Sequence, residues 1–166
     1  ICSPDAEDLL CRVTAGLDQF NLNIVDARVH RLASNLVIMV FVVLAAEHEG
    51  TRAFELGRTV ERLRKHLLSA KQDLTARRTL VPRALKHFPI DTTVRFSDSE
   101  IGESVTVMEV IAQDRPGLLL QVAKALLSCK IRLGNAKVGT FGARAEDIFY
   151  VTDRDGMPVT DRSQRA

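Results

Sequence analysis

The stretch Val110–Leu127, which reads VIAQDRPGLLLQVAKALL, decides the fold class. Its apolar beginning ends a strand that we predict over residues 105–112, and apolar residues at helical spacing follow at once. Pro116 suits the first turn of that helix, where its missing N–H is not needed, and Asp114 can cap the free N–H groups. A tight turn does not require the charged pair Asp114 and Arg115. We therefore ask whether this corner also holds a small polar molecule.

The composition is that of a globular protein and argues against several functional classes. The 166 residues are 46% hydrophobic and 27% charged, and the net charge of +2 is too small to indicate nucleic-acid binding. The longest apolar run, residues 36–46, is too short to span a membrane and predicts a buried strand. Three cysteines without CxxC spacing, Cys2, Cys11 and Cys129, predict free thiols and a cytoplasmic location. Because the chain opens on Ile1 without an initiator methionine, we expect a fragment of a longer protein.

An internal repeat organises the chain. With an offset of 109 residues, Asp5 aligns with Asp114, and Asp26–Val29 aligns with Asn135–Val138 without a gap. Apolar residues of the intervening helix and of the following strand align as well. A collinear series over one helix and two strands indicates two copies of one structural unit.

The predicted order of elements in this unit is βαββαβ, that of a ferredoxin-like fold in the α+β class. The first copy, residues 1–97, has almost no opening strand; we predict helices over 5–20 and 51–74, strands over 22–31 and 36–44, a basic connection over 75–89 and a closing strand over 90–97. A polar linker follows over residues 98–104. The second copy, residues 105–166, has its strands over 105–112, 131–140 and 146–152 and a turn over 153–158, and it lacks its last helix and strand.

The residues around the corner resemble a known family. VMEVIAQDRPGLLLQVAKALL, followed by NAKVGTFGARAEDIFYVTDRDGMP, is similar to an ACT domain, and more narrowly to the second of two C-terminal ACT domains in bacterial bifunctional PII uridylyltransferase/uridylyl-removing enzymes. LDQFNLNIVDARV, residues 17–29, is similar to the first ACT copy of that family. The resemblance covers essentially the whole chain. The corner marks only the ACT superfamily, whereas the string over residues 142–153 and the tandem arrangement are more specific.

The resemblance implies a regulatory role. ACT pairs bind small amino acids between the corner of one copy and the second strand of its partner, and in this family the effector is glutamine, which favours removal of UMP from the PII signal protein. The ligand-binding residues implied by residue match are Asp114, Arg115, Pro116, Gly117, Leu118, Leu119, Asn135 and Asp26. The resemblance further implies a parent nucleotidyltransferase and hydrolase that uses Mg²⁺ and UTP, PII as its partner, and ACT–ACT pairing within or between chains.

The chemistry of the corner suits a free amino acid. Its carboxylate would lie at a helix N-terminus, where backbone N–H groups and the helix dipole favour negative charge. Gly117 lets a ligand approach the backbone closely, and Asp114, Asn135 or Asp26 can accept a hydrogen bond from the ammonium. The same residues also have a purely structural interpretation, since Asp114 can be a helix cap and Arg115 a solvated side chain.

The first copy departs from the corner pattern. Ala6, Glu7 and Asp8 stand where Arg, Pro and Gly are expected. These changes remove the guanidinium and the glycine and add two acids, which predicts a degenerate corner. We expect the first copy to act as the structural partner that contributes Asp26.

No catalytic set and no metal site is visible in the sequence. GxxxxGK and HExxH motifs are absent, and the four histidines have no metal-ligand spacing. We therefore expect no cofactor in this fragment. Three alternatives stay open: an ACT pair of another amino-acid-responsive regulator, a structural dimerisation pair without ligand, and an RNA-binding sheet that would stack bases on Phe149 and Tyr150.

Overall fold

The computed structural model describes residues 1–45, 56–69, 90–98, 104–161 and 164. Its elements, in chain order, are β1 (Cys2–Pro4), α1 (Leu9–Gln19), β2 (Leu22–Arg31), β3 (Leu36–Ala45), α2 (Leu56–Leu68), β4 (Thr93–Asp98), β5 (Thr106–Gln113), α3 (Leu118–Ser128), β6 (Arg132–Phe141) and β7 (Arg144–Thr152). The predicted α+β class is confirmed, and so is the opening strand of the first unit as a remnant of three residues. The rest of the predicted second helix, residues 51–55 and 70–74, the connection over 75–89 and linker residues 99–103 lie outside the described residues.

The seven strands form one antiparallel sheet in the order β1-β3-β2-β6-β7-β5-β4. The two repeat units meet where β2 pairs with β6, with Asp26 opposite Gly139 and His30 opposite Asn135. Because this contact is a backbone hydrogen-bond ladder, the second strands of the two units continue one another's sheet. The units are thus joined side by side within a single chain.

The closing strand predicted after α2 exists as β4, but its partner is not β1. It pairs with β5 of the second unit, from Thr93 opposite Ile111 to Asp98 opposite Thr106. Only a short stretch of chain connects β4 to β5, and consecutive antiparallel strands with a short connection tend to pair. The edge of β5 that faces away from β7 is therefore covered by a strand that belongs to the first repeat.

The helix after the corner begins later than predicted. Pro116 lies in a turn and not in the first helical turn, because α3 begins at Leu118 with Gly117 as its N-cap in the left-handed conformation (φ 76°). No side chain caps this helix end, so the predicted capping role of Asp114 is wrong. An α-helix of L-residues is right-handed, so a residue with left-handed backbone angles cannot be part of it. The helix therefore begins after Gly117, later than predicted.

The helices share one face of the sheet, where α1 contacts both α3 and α2. Buried side chains alternate with more exposed ones along β7. The buried ones are Ala145, Asp147, Phe149 and Val151. Phe149 is 0% exposed, and burial of such a side chain contributes about 1.5 to 3 kcal/mol to folding. A ring held in the core cannot stack on a base, which argues against the RNA-binding alternative.

Two further predictions concern the cysteines, expected to be free thiols, and the longest apolar run, expected not to span a membrane. Cys2, Cys11 and Cys129 are all free, as the spacing of the cysteines predicted. Among the described residues, no helix combines the length and the apolar character needed to cross a membrane.

Candidate functional site

A cavity of about 360 Å³ lies where the corner of the second unit meets the first unit. The second unit contributes the corner together with parts of β6 and β7, and the first unit contributes the end of α1, the start of β2 and Leu44. Its lining residues are Thr14, Asp18, Asn21, Leu22, Asn23, Ile24, Leu44, Asp114, Arg115, Pro116, Gly117, Leu118, Leu119, Leu120, Val138, Thr140, Ala145 and Asp147. All six residues that the sequence predicted at the corner are therefore brought together in one concave site between the two units.

The N-terminal end of α3 faces this cavity with part of its backbone unpaired. Leu118 N–H donates to the Arg115 carbonyl at 3.1 Å, and Gln121 N–H donates to the Gly117 carbonyl at 3.0 Å. Among the described residues, the N–H groups of Leu119 and Leu120 have no such acceptor. Unpaired N–H groups at a helix start, with the positive end of the helix dipole behind them, favour an anionic group such as a carboxylate.

The Arg115 side chain is held against the helix. Its Nη2 donates to Oε1 of Gln121 at 2.7 Å, one turn into α3. The corner is fixed on its other side by the backbone, where Asp114 N–H donates to the Ala143 carbonyl at 2.9 Å. The corner is thus ordered by its own contacts, and Arg115 lines the cavity mouth as an oriented guanidinium.

Carboxyl groups dominate the charge inside the cavity. Asp18, Asp114 and Asp147 line it, against the single guanidinium of Arg115. Burial raises the pKa of Asp114 above its ordinary value, against a hydrogen bond from the Arg115 backbone that lowers it. Burial likewise raises the pKa of Asp147 to about 7, opposed by the Gly139 backbone and reinforced by the charge of Asp114. Such a cavity favours a ligand that carries a cationic group.

Two predicted residues lie elsewhere. Neither Asn135 nor Asp26 belongs to the described residues that line this cavity. Asn135 lies on β6 opposite Tyr150 of β7, and Asp26 follows an irregularity in the β2–β3 ladder, with its Oδ1 buried and without a hydrogen-bond partner. The described residues of β2 that do line the cavity are Leu22, Asn23 and Ile24, of which Asn23 is the polar one. A ligand-binding role for Asn135 and Asp26 stays a prediction.

The corner of the first unit has a cavity of its own, but that cavity is nearly filled. It measures about 40 Å³, and Asp5, Glu7, Arg31 and Arg132 are among its lining residues. The Asp5 carboxylate, whose side chain is 6% exposed, forms ion pairs with Arg31 and with Arg132. Arg31 also donates from Nε and Nη2 to the Leu133 carbonyl, at 3.2 and 3.0 Å. The predicted degenerate corner is therefore closed by guanidinium groups of this chain.

The repeat relates the two cavities residue by residue. With the same offset, Arg132 of the filled cavity corresponds to Asn23 of the open one, and Arg31 corresponds to Thr140. Asn and Thr are short and neutral, whereas both arginines extend into their cavity to reach Asp5. The two exchanges explain why the corner of Asp114 is open and the corner of Asp5 is filled.

The curated proteins to which this chain is similar share one description. The chain is 36% identical over 165 residues to the bifunctional uridylyltransferase/uridylyl-removing enzyme of Stutzerimonas stutzeri (strain A1501) and 37% identical over 163 residues to that of Pseudomonas fluorescens (strain SBW25). It is 36% identical over 165 residues to the enzyme of the same description from Azotobacter vinelandii (strain DJ / ATCC BAA-1303). The chain is homologous to a segment of these bifunctional enzymes.

The relatives agree with the resemblance that the corner and the repeat predicted. Each match covers 97% of this chain and 18% of the bifunctional uridylyltransferase/uridylyl-removing enzyme, so the chain spans less than a fifth of the length of these relatives. No family model and no solved structure matches the chain.

Within the part of the chain that the structure describes, no group of three His, Cys, Asp or Glu side chains can hold a metal ion.

Asp147 and Asn23 are two of the site residues that sequence reasoning missed, along with polar lining residues such as Asp18 and Thr140. Asp147 sits at a buried position of β7, between Ala145 and Phe149 on the same face, and is 2% exposed. The sequence pattern of β7 could have identified Asp147. An acidic residue at a strand position that the alternation assigns to a buried apolar side chain indicates a functional role. For Asn23, the signal was its alignment with Arg132 under the repeat offset.

Proposed function

We propose that this chain is the glutamine-sensing regulatory region of a PII uridylyltransferase/uridylyl-removing enzyme. The observation that carries the proposal is the difference between the two corners. The corner of Asp5 is occupied by the chain's own arginines, whereas the corner of Asp114 opens into a cavity between the units. The homology to bifunctional uridylyltransferase/uridylyl-removing enzymes supports the identity of the parent enzyme.

The cavity offers complementary groups for each part of an amino acid. The unpaired N–H groups of Leu119 and Leu120 suit the carboxylate, and the carboxyls of Asp114 and Asp147 suit the ammonium. The amide of Asn23 supplies both a donor and an acceptor, which a glutamine side-chain amide requires. The volume of 360 Å³ falls within the range of about 300 to 1,000 Å³ that small-molecule sites occupy.

The position of the cavity suits allosteric control. A ligand there would contact α1 and β2 of the first unit as well as the corner of the second. It would therefore favour whichever arrangement of α1 and α3 brings those groups closest, and an effector acts only through such a difference in affinity. We propose that glutamine binding in this way shifts the parent enzyme from addition of UMP to PII toward its removal. UTP and Mg²⁺ would be used by the catalytic part of that enzyme.

The first experiment is a calorimetric titration of the protein with glutamine, glutamate, asparagine and alanine. We expect selective binding of glutamine. Asp114→Ala should weaken it at least tenfold, whereas Asp155→Ala, which removes an exposed carboxylate from the turn after β7, should bind like the parent.

The same titration decides between the alternatives. Selective binding of a different amino acid would favour a regulator of another pathway. Absence of binding by all four amino acids, in a sample whose circular dichroism shows it to be folded, would contradict the proposal and favour a purely structural pair.

A further inference from the structure

A carboxyl group with an unused oxygen lies inside the open cavity. Asp147 is 2% exposed, lines the cavity, and its Oδ1 has no hydrogen-bond partner. Leaving a buried polar atom unpaired costs about 1 to 3 kcal/mol. An atom of this kind, in a site built from two units, indicates that a donor from a ligand is meant to reach it.

The surroundings of Asp147 are defined on every side. From the corner, Asp114 and Arg115 line the same cavity, and from α1 Asp18 does so. The neighbouring strands place apolar Val110 of β5 and Val138 of β6 opposite Asp147. Burial and the charge of Asp114 favour the neutral form of the Asp147 carboxyl, and a hydrogen bond from the Gly139 backbone favours its ionised form. The balance raises its pKa to about 7, so the carboxyl is mostly neutral below that pH.

Asp114 is less suited than Asp147 to accept a hydrogen bond from a ligand. Each carboxylate accepts a backbone hydrogen bond, from Arg115 and from Gly139 respectively, but the Asp114 side chain is more exposed than that of Asp147. Asp147 has both the free acceptor and the dry surroundings in which a charge–charge contact is strong. The two carboxyls therefore differ in role: Asp114 belongs to the corner, and Asp147 forms the interior end of the cavity.

We propose that Asp147 binds the ammonium group of the amino acid through Oδ1 and releases its own proton to solvent as the ligand enters. This inference rests on the proposed function, because it assumes an amino-acid ligand in the cavity. Below about pH 7 the empty site holds a neutral carboxyl, and the occupied site holds a carboxylate paired with the ligand's ammonium. The O–H bond of Asp147 breaks, and the buffer takes the proton. Binding is thereby linked to pH.

The proton can be counted directly. Titration of the protein with glutamine in two buffers of different ionisation enthalpy gives the number of protons released per ligand. We expect close to one proton at about pH 6, where Asp147 is neutral in the empty site, and close to none at about pH 8.5. Over the same range the affinity should rise roughly tenfold per pH unit below neutrality and then level off.

A matched pair of variants assigns the proton to Asp147. Asp147→Asn keeps the size of the side chain but cannot ionise, so we expect loss of proton release and at least tenfold weaker binding at about pH 8.5. Glu109→Gln removes an exposed carboxylate from the opposite face of β5 and should leave both quantities unchanged. If Asp147→Asn fails to fold, the proton count and the pH dependence of the parent still decide the matter.

The two possible failures are distinguishable. If the parent binds glutamine without releasing a proton and with an affinity independent of pH, the role of Asp147 is overturned and the proposed function stands. If a folded parent binds no amino acid at any pH, both the proposed function and the role of Asp147 are overturned.

Discussion

Arg132 and Asp5 come from different repeat units, and Nη2 of the arginine lies 3.3 Å from Oδ2 of the aspartate. Asp5 occupies the place in the first corner that Asp114 occupies in the second, so the partner of its carboxylate is a fixed guanidinium of the chain. Arg31, from β2, reaches the same oxygen. The first corner therefore keeps the architecture of a ligand site but supplies its own cation.

Removing Arg31 should destabilise the fold. In Arg31→Ala, the Asp5 carboxylate stays buried with only the half-exposed Arg132 beside it, and the Leu133 carbonyl loses two donated hydrogen bonds. Because an uncompensated buried charge is costly, we expect the free energy of unfolding to fall by about 2 to 4 kcal/mol, measured by urea denaturation.

A surface ion pair is the control for Arg31. Arg64 lies 3.8 Å from Glu61 on α2, with both side chains more than half exposed. Arg64→Ala should change the free energy of unfolding by less than about 0.5 kcal/mol. Equal effects of the two substitutions would contradict a structural role for the Asp5 cluster.

Filling the open cavity from the first unit should abolish ligand binding. Asn23→Arg places at this position the residue that its counterpart Arg132 provides in the filled cavity. The new guanidinium would lie near Asp114 and occupy space in the cavity that the ligand needs. We expect glutamine affinity to fall at least tenfold in calorimetry, with the circular dichroism spectrum unchanged.

Asn23→Ala is the matched variant, since it removes the amide without filling the cavity. It should retain binding with at most a moderate loss, because a hydrogen bond contributes about 0.5 to 1.5 kcal/mol. If Asn23→Arg binds glutamine as well as the parent, the ligand does not lie in this cavity.

The number of ligands per chain should be one. The filled corner offers about 40 Å³, too little for an amino acid, whereas the open corner offers about 360 Å³. A further depression of about 270 Å³ also borders Asp5, Arg31 and Arg132, but no residue of α1 is among the described residues that line it, and the Asp5 carboxylate there is already paired with both arginines. Calorimetry with a protein concentration determined by amino-acid analysis should give a stoichiometry near one. A value near two would show that ligand displaces Arg31 and Arg132 from Asp5, or that a second site exists.

Stability should depend on pH through Asp147. The folded protein holds the proton of Asp147 up to about pH 7, whereas an unfolded aspartate with the ordinary pKa of 3.8 has lost it. Between these values the unfolded state binds fewer protons, so the contribution of Asp147 to stability falls as the pH rises and levels off above 7.

Asp147→Asn removes this dependence. The free energy of unfolding of the variant minus that of the parent should therefore increase from acid to neutral pH, by about 4 kcal/mol, and stay constant above neutrality. Urea denaturation at a series of pH values measures it. A difference that does not vary with pH would mean that Asp147 has the same pKa in the folded and the unfolded protein, which would contradict the effect of burial.

Local patterns of the sequence predicted the elements well. The bounds of β2 agree residue for residue with the prediction, because the alternation is bounded by turn residues at both ends. The start of α3 was misplaced because Pro116 and Gly117 are compatible with either a helical first turn or a preceding turn. Only the left-handed conformation of Gly117 decides between them.

Local patterns could not predict which strands pair over long distances, or which residues outside the corner line the cavity. The periodicity of β4 shows that it is a strand but carries no information on which neighbour it joins. The corner residues were found because they are contiguous. Asn23 and Asp147 belong to other elements. The pairing of β2 with β6 brings Asn23 to the corner, and the pairing of β7 with β5 brings Asp147 there.

The location of β4 limits how this protein can be divided. A protein ending after residue 98 would hold β4 without the strand that it pairs with, and one beginning at residue 104 would expose the whole edge of β5. Bare edges of that length recruit other chains, so each half expressed alone should aggregate or exchange strands with its neighbours. The repeat that is visible in the sequence therefore does not mark a place where the protein can be cut, and we expect the two units to fold and unfold together.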